Sequence, residues 1–255
     1  MSVRWLTAFI DIPAPSLERA ERFWTSVTGS NMSPKRGEHH EFATLIPSNG
    51  DAFLRVQRVL LGTGGIHLDL HVEDIAGASS RAMQLGATAV EDRGHRVMLS
   101  PAGLTFCLVG FHGESVRPAP VAIASGGTSA STSLVDQVAI DVSSGAFETE
   151  CRFWSELTGW EVHSGALPEF AVLTRPVGMP LRILLQRLGP DDPATEARAH
   201  LDFACGPNVE ALAALHRSLG AKLVREEKYW TTLSDPSGFP YCLTRRDPLT
   251  GTLTA

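Results

Sequence analysis

The stretch "HLDLHV" at 67–72 places two imidazoles and a carboxylate close together in the chain. Written as a strand, its period of two sets His67, Asp69 and His71 on one face and Leu68, Leu70 and Val72 on the other. "HLDF" at 200–203 repeats the first pair as His200 and Asp202. Such a pair supports three chemistries. Imidazole and carboxylate can hold a divalent ion, the carboxylate can orient the histidine as a general base, or both can be polar strand residues that find partners without catalysing. Side chains at i and i+2 of a strand are rooted about 7 Å apart, so a direct bond is within reach but not forced.

Two further histidine groups differ between the halves of the chain. His71 is matched by Ala204 and reads as a solvent-facing residue at a strand end. His39 and His40 in "GEHHEF" match Leu167 and Pro168, and as strand neighbours they face opposite ways, which argues against a shared ion.

The elements that position these residues occur twice. "RFWTSVTG" at 22–29 returns as "RFWSELTG" at 152–159, "EFATL" at 41–45 as "EFAVL" at 169–173, and "GLTFCL" at 103–108 as "GFPYCL" at 238–243. The order is kept and only loop lengths drift, the mark of a tandem duplication. Between the copies, a stretch rich in Pro, Gly, Ser, Thr and Ala reads as a linker. The expected organisation is a first module over 1–112, a linker over 113–133 and a second module over 134–255.

Within each copy, strand, helix and strands follow one another twice. In the first, "LTAFIDI" alternates as a strand, and "SLERAERFWTSVTG" is a helix with Ser16 as N-cap and Gly29 just past its end. Trp24 and Trp154, at matching helix positions beside Phe23 and Phe153, are expected to pack helices onto a sheet.

A chain of 255 residues, 43% hydrophobic and 20% charged, can bury a substantial core. Its net charge of -6 gives no electrostatic reason to expect nucleic acid or an anionic membrane as partner. No apolar run suits a secretory signal or a membrane span, so the expected location is cytoplasmic. Cys107, Cys151, Cys205 and Cys242 lack paired metal-knuckle spacing and read as reduced, mostly core thiols.

Four such units, opening on "SLERAERFW", with "HLDLHVEDI" beginning a second half and "SPAGLTFCL" or "DPSGFPYCL" closing each copy, resemble the vicinal oxygen chelate superfamily. That superfamily includes glyoxalase I, bleomycin-resistance proteins and extradiol dioxygenases. The resemblance implies an α+β fold: tandem modules, each of two βαβββ units in a cupped mixed sheet with outer helices. It also implies a small-molecule ligand in the cup, and a chain that is a monomer or a homodimer.

Metal-dependent members of the superfamily hold one divalent ion with His or Gln on the first strand, Glu on the fourth, His on the fifth and Glu on the eighth. Carried over residue by residue, the first copy offers Thr7, no fourth-strand acid beside Arg55 and Gln57, then His67 and Cys107. The second offers Gln137, no acid beside Gln186, then His200 and Cys242. Hard oxygen sites need the missing carboxylates. The expectation is therefore no cofactor, with a divalent metal held by His200, Gln137 and Cys242 as the alternative, zinc being the ion that suits imidazole and thiolate.

In a metal-free site, His200 oriented by Asp202, and His67 by Asp69, would act as general bases, with Gln137 placing the substrate. Phe9, Phe42, Phe170, Trp230 and Tyr241 are the candidate walls, since pockets are commonly apolar with a few placed polar groups. The leading reading is a protein that binds a small organic molecule, its metal site degenerate. The competing one is a metal-dependent lyase, isomerase or dioxygenase, whose Lewis-acid chemistry the missing carboxylates weaken.

Overall fold

The computed structural model describes residues 2–60, 62, 64–123 and 131–253. The first repeat forms β1 (Trp5–Pro13), α1 (Leu17–Thr28), β2 (Asn31–Met32), β3 (Phe42–Ile46) and β4 (Leu54–Val59). It continues as β5 (Gly65–Val72), α2 (Ile75–Gln84), β6 (Thr88–Asp92), β7 (Arg96–Leu99) and β8 (Thr105–Gly110). A short β9 (Val121–Ile123) precedes the second repeat. This runs β10 (Ser131–Val142), α3 (Phe147–Thr158), β11 (Val162–Ser164), β12 (Phe170–Leu173) and β13 (Arg182–Arg187). It ends β14 (Arg198–Ala204), α4 (Val209–Ser218), β15 (Lys222–Glu226), β16 (Trp230–Ser234) and β17 (Pro240–Thr244).

Each repeat is thus two βαβββ units, and the two sheets share one plan. Their strand orders are β2-β3-β4-β1-β5-β8-β7-β6 and β11-β12-β13-β10-β14-β17-β16-β15. Both are mixed sheets: β5 pairs β8, and β14 pairs β17, in parallel, while the hairpins are antiparallel. Within the stretch read as a linker, β9 pairs with the start of β10, and the backbone N–H of Ala119 donates to Asn49. Residues 124–130 lie outside the described residues. No described helix is long and apolar enough to cross a membrane.

The chain forms two compact units. Unit 1 comprises Met1–Phe9, Ile66–Val116 and Val138–Ala199; unit 2 comprises Ile10–Gly65, Arg117–Gln137 and His200–Ala255. Each therefore joins a half of one repeat to a half of the other. In unit 2, α1 buries Ala20, Phe23, Trp24 and Val27, the i, i+3, i+4, i+7 stripe of an amphipathic helix. Trp24 stacks on Phe203 and meets Tyr241 edge-on at 5.5 Å between centroids. In unit 1, α3 brings Trp154 edge-on to Phe106 at 5.4 Å. The two tryptophans do pack helices onto sheet strands.

Helix ends follow the sequence in part. Gly29 (φ 59°) and Gly159 (φ 75°) close α1 and α3 in the left-handed conformation that costs glycine least. Ser16 stands at the N-cap position of α1 but does not cap it. Its hydroxyl donates to the Pro13 carbonyl at 3.1 Å, because the preceding 3-10 turn places an acceptor closer than the helix amides.

The tryptophan indoles reveal an exchange between the repeats. Trp24 Nε1 donates to Asp235 at 2.9 Å, and the same carboxylate accepts from the backbone N–H groups of Ser237 and Phe239. Trp154 Nε1 donates to Glu150 at 2.8 Å, and Glu150 also accepts from the Ala102 N–H. The acid lies on the closing loop in unit 2 and on the helix in unit 1. Their counterparts are Ser100 and Ala20, so each unit keeps one carboxylate for the same task. Burial pushes both carboxyl groups above their ordinary range, against the hydrogen bonds that hold them ionised.

Candidate functional site

In unit 1, alternation along β5 turns His67, Asp69 and His71 to one face, and the parallel register sets Cys107 of β8 opposite Asp69. Ligand-type atoms of His67, Asp69 and Cys107 all lie within 4.8 Å of one another. His67 Nε2 stands 3.8 Å from the Asp69 carboxylate, and Phe9 stacks on the imidazole with centroids 4.6 Å apart. Phe9 thus lies directly against this group.

His71 departs from the sequence reading. It is only 1% exposed, and its Nε2 shares a 2.9 Å hydrogen bond with the Thr7 hydroxyl, while Nδ1 lies 3.4 Å from Glu114. The β5 strand runs buried through Val72, so its last histidine stays inside and must be partnered. Thr7, the first-strand position, is therefore engaged with an imidazole.

Unit 2 repeats the group and adds charge. His200 Nε2 lies 3.4 Å from Asp202 Oδ1, Cys242 of β17 stands opposite Asp202, and the three offer donors within 4.8 Å. Gln137 donates its amide to Asp202 Oδ2. Arg246 donates to Asp136 and reaches to 3.9 Å from the same Asp202 oxygen. All of these side chains are buried. Burial pushes the Asp202 carboxyl up, while His200, Arg246 and Gln137 pull against it. Burial, the largest effect on Arg246, would lower it, yet Asp136 and Asp202 together carry the guanidinium above its ordinary value. The Cys242 thiol is raised, first by burial and then by Asp202. Gln137 Oε1 is buried and receives no hydrogen bond among the described residues, while Asp202 Oδ1 has only the His200 imidazole, at 3.4 Å, as its neighbour in an ion pair.

The candidate walls divide. Trp230 pairs with Thr244, and Thr232 with Cys242, so Trp230 shares the Cys242 face; it is half-buried. Tyr241 points the other way. It is fully buried against Trp24 and Phe203, and its hydroxyl bonds His216 Nδ1 at 3.0 Å, because neighbouring strand residues face opposite sides. It belongs to the helix-side core and not to the site. Phe42 and Phe170 are half-buried on β3 and β12, each paired across its ladder with a glutamine, Gln57 or Gln186. They fall in the compact unit other than that of their repeat's histidine.

The fold and the duplicated site can be set beside known proteins. A glyoxalase-like domain model matches residues 7–109 and again 137–244. The chain belongs to the glyoxalase-like domain family. Both glyoxalase-like modules lie in the repeats, and the solved structures they resemble share the vicinal oxygen chelate fold. A variant of 4-hydroxymandelate synthase from Streptomyces coelicolor is 15% identical, with 98% of this chain and 94% of that one covered and a TM-score of 0.59. An extradiol ring-cleaving dioxygenase from B. fuscum is 14% identical over 98% of this chain and 74% of its own, with a TM-score of 0.62. The 2,3-dioxygenase LapB from Pseudomonas sp. KL28 is 14% identical over 96% and 92%, with a TM-score of 0.61. No curated protein matches the chain.

The donor sets of the two glyoxalase-like modules fit a metal differently. In unit 2 a dication on Asp202 would sit beside the Arg246 guanidinium and compete with it and Gln137 for that carboxylate, so Asp202 is less open to an ion than its counterpart in unit 1. In unit 1, the counterparts of Asp136 and Arg246 are Leu6 and Phe111, so that ion pair has no equivalent. His67, Asp69 and Cys107 supply imidazole, carboxylate and thiol, the donor types zinc accepts, at separations that small side-chain movements can close. The Asp136–Arg246 pair was overlooked in the sequence. Its signal was there: two charges flanking the duplicated strands where the other repeat is apolar.

Proposed function

We propose that this glyoxalase-like protein binds a small organic molecule, in the cytoplasm, at the His200–Asp202–Gln137–Cys242 group of unit 2. The observation that carries the reading is the buried Gln137 Oε1, an acceptor with no donor among the described residues, beside the His200–Asp202 pair. A buried acceptor left without a donor costs about 1–3 kcal/mol, which a ligand hydroxyl or amine recovers by donating to it. Trp230, half-buried on the same face, supplies an aromatic surface for the ligand body. Where turnover follows binding, His200 accepts the ligand's proton, and Asp202 holds its imidazole in orientation.

The test is a small-molecule screen read by thermal shift and Trp230 fluorescence. Hydroxylated or amino-bearing compounds are expected to raise the melting temperature of the wild type, and Gln137→Leu is expected to weaken them at least ten-fold. Binding undiminished in Gln137→Leu, or no ligand across such a screen, would contradict the proposal.

A second reading rests on unit 1. There His67, Asp69 and Cys107 would hold a divalent ion of the zinc type, and the ion would supply Lewis-acid polarisation of a carbonyl. Phe9, stacked on His67, fixes the ring that would carry it. That reading connects the chain to the lyases and dioxygenases of its superfamily.

A further inference from the structure

A second concave region of unit 2 lies on its helix side, away from the His200 group. It is a cleft of about 810 Å³ between α1, the end of α4 and the turn joining β16 to β17. Leu219 and Pro236 supply apolar lining above the buried Phe23, while Arg19, Arg22 and Lys222 line it with positive charge. In a chain of net charge -6, three cations in one cleft are a local reversal.

The charges are available to a ligand. Arg19 and Lys222 are exposed and take part in no ion pair among the described residues. Arg22 has Glu18 at 3.8 Å, but both side chains are largely exposed, and such pairs are weak. The one carboxylate in the lining, Asp235, is turned inward and consumed by Trp24 and the turn amides. The Ser237 hydroxyl on the same turn has no hydrogen-bond partner among the described residues; it is turned away from solvent, and rotation about χ1 would bring it into the cleft.

Unit 1 provides an internal comparison. The positions of Arg19, Ser26 and Lys222 are Thr149, Glu156 and Thr88 in the other repeat, and only Arg22 is kept, as Arg152. Glu156 is paired with Arg81 at 3.2 Å. The cationic character thus arises in one unit of two built on one plan, so the fold does not require it.

The geometry points to a binding site for a small organic anion, an apolar body carrying a phosphate group. Guanidinium and ammonium groups would take the phosphate oxygens, the Ser237 hydroxyl, once its side chain rotates into the cleft, would donate to one of them, and the body would lie on Leu219 and Pro236. The site is independent of the His200 group and of whatever binds there.

Calorimetric titration of the full chain with phenyl phosphate, inorganic phosphate and phenol at fixed ionic strength tests this. Phenyl phosphate should bind saturably, phosphate more weakly and phenol not measurably. The double variant Arg19→Thr/Lys222→Thr, which installs the residues of the other repeat at exposed positions, should weaken phenyl phosphate at least ten-fold at unchanged melting temperature. Arg22→Gln gives a second, milder loss. Absence of saturable binding, or binding that both variants leave intact, would overturn the proposal.

Discussion

A single imidazole shows how placement decides chemistry in this chain. His216 of α4 is enclosed by Phe23, Phe203 and Tyr241, and burial pushes it down to about 3. In the unfolded chain it titrates near 6.5, so the native state excludes a proton that the unfolded state binds between those values. Its contribution is complete above pH 6.5 and is lost as the pH falls, at up to about 1.4 kcal/mol per pH unit. Glu150 and Asp235 act in the opposite sense, since burial raises them and the native state takes protons first. Comparing variants isolates the histidine. Between pH 7 and 4, His216→Gln should lose less unfolding free energy in urea than the wild type does, and equal slopes would contradict the assignment. The sequence announced His67 and His200, because strand alternation and repetition mark them. It did not announce His216 or the burial of His71, since solvent access depends on what a distant segment lays over a residue.

At the scale of elements, period and turn chemistry carried most of the information. The apolar stripe of α1 and the glycines closing α1 and α3 were legible, as were the βαβββ order and the duplication. Which half-repeat packs with which was not, because the same aromatic stripe suits either sheet. The carboxylate exchange belongs here as well. Glu150 on α3 does for Trp154 what Asp235 on its loop does for Trp24. Glu150→Ala should therefore destabilise the protein by about 2–3 kcal/mol, as it strands a buried indole N–H and a backbone amide. Adding Ser100→Asp, which restores the acid to the loop as in the other repeat, should recover a substantial part of that loss in urea unfolding. No recovery would show that the two acids are not interchangeable.

For the whole molecule, duplication has left two sites on one scaffold with different chemistry. Both keep the His–Asp pair on a central strand and the cysteine opposite the aspartate. In unit 2 a buried ion pair, Arg246 with Asp136, stands against that aspartate, at positions where the other repeat has Phe111 and Leu6. We infer that this charge commits the unit 2 group to protein partners and an organic ligand, and disfavours a dication there. Cobalt(II) titration of the wild type, Cys107→Ser and Cys242→Ser, followed in the near ultraviolet where cobalt–thiolate bonds absorb, addresses it most directly. Cys242→Ser should leave the wild-type spectrum unchanged, and Cys107→Ser should remove any thiolate band. A band lost in Cys242→Ser and kept in Cys107→Ser would contradict it.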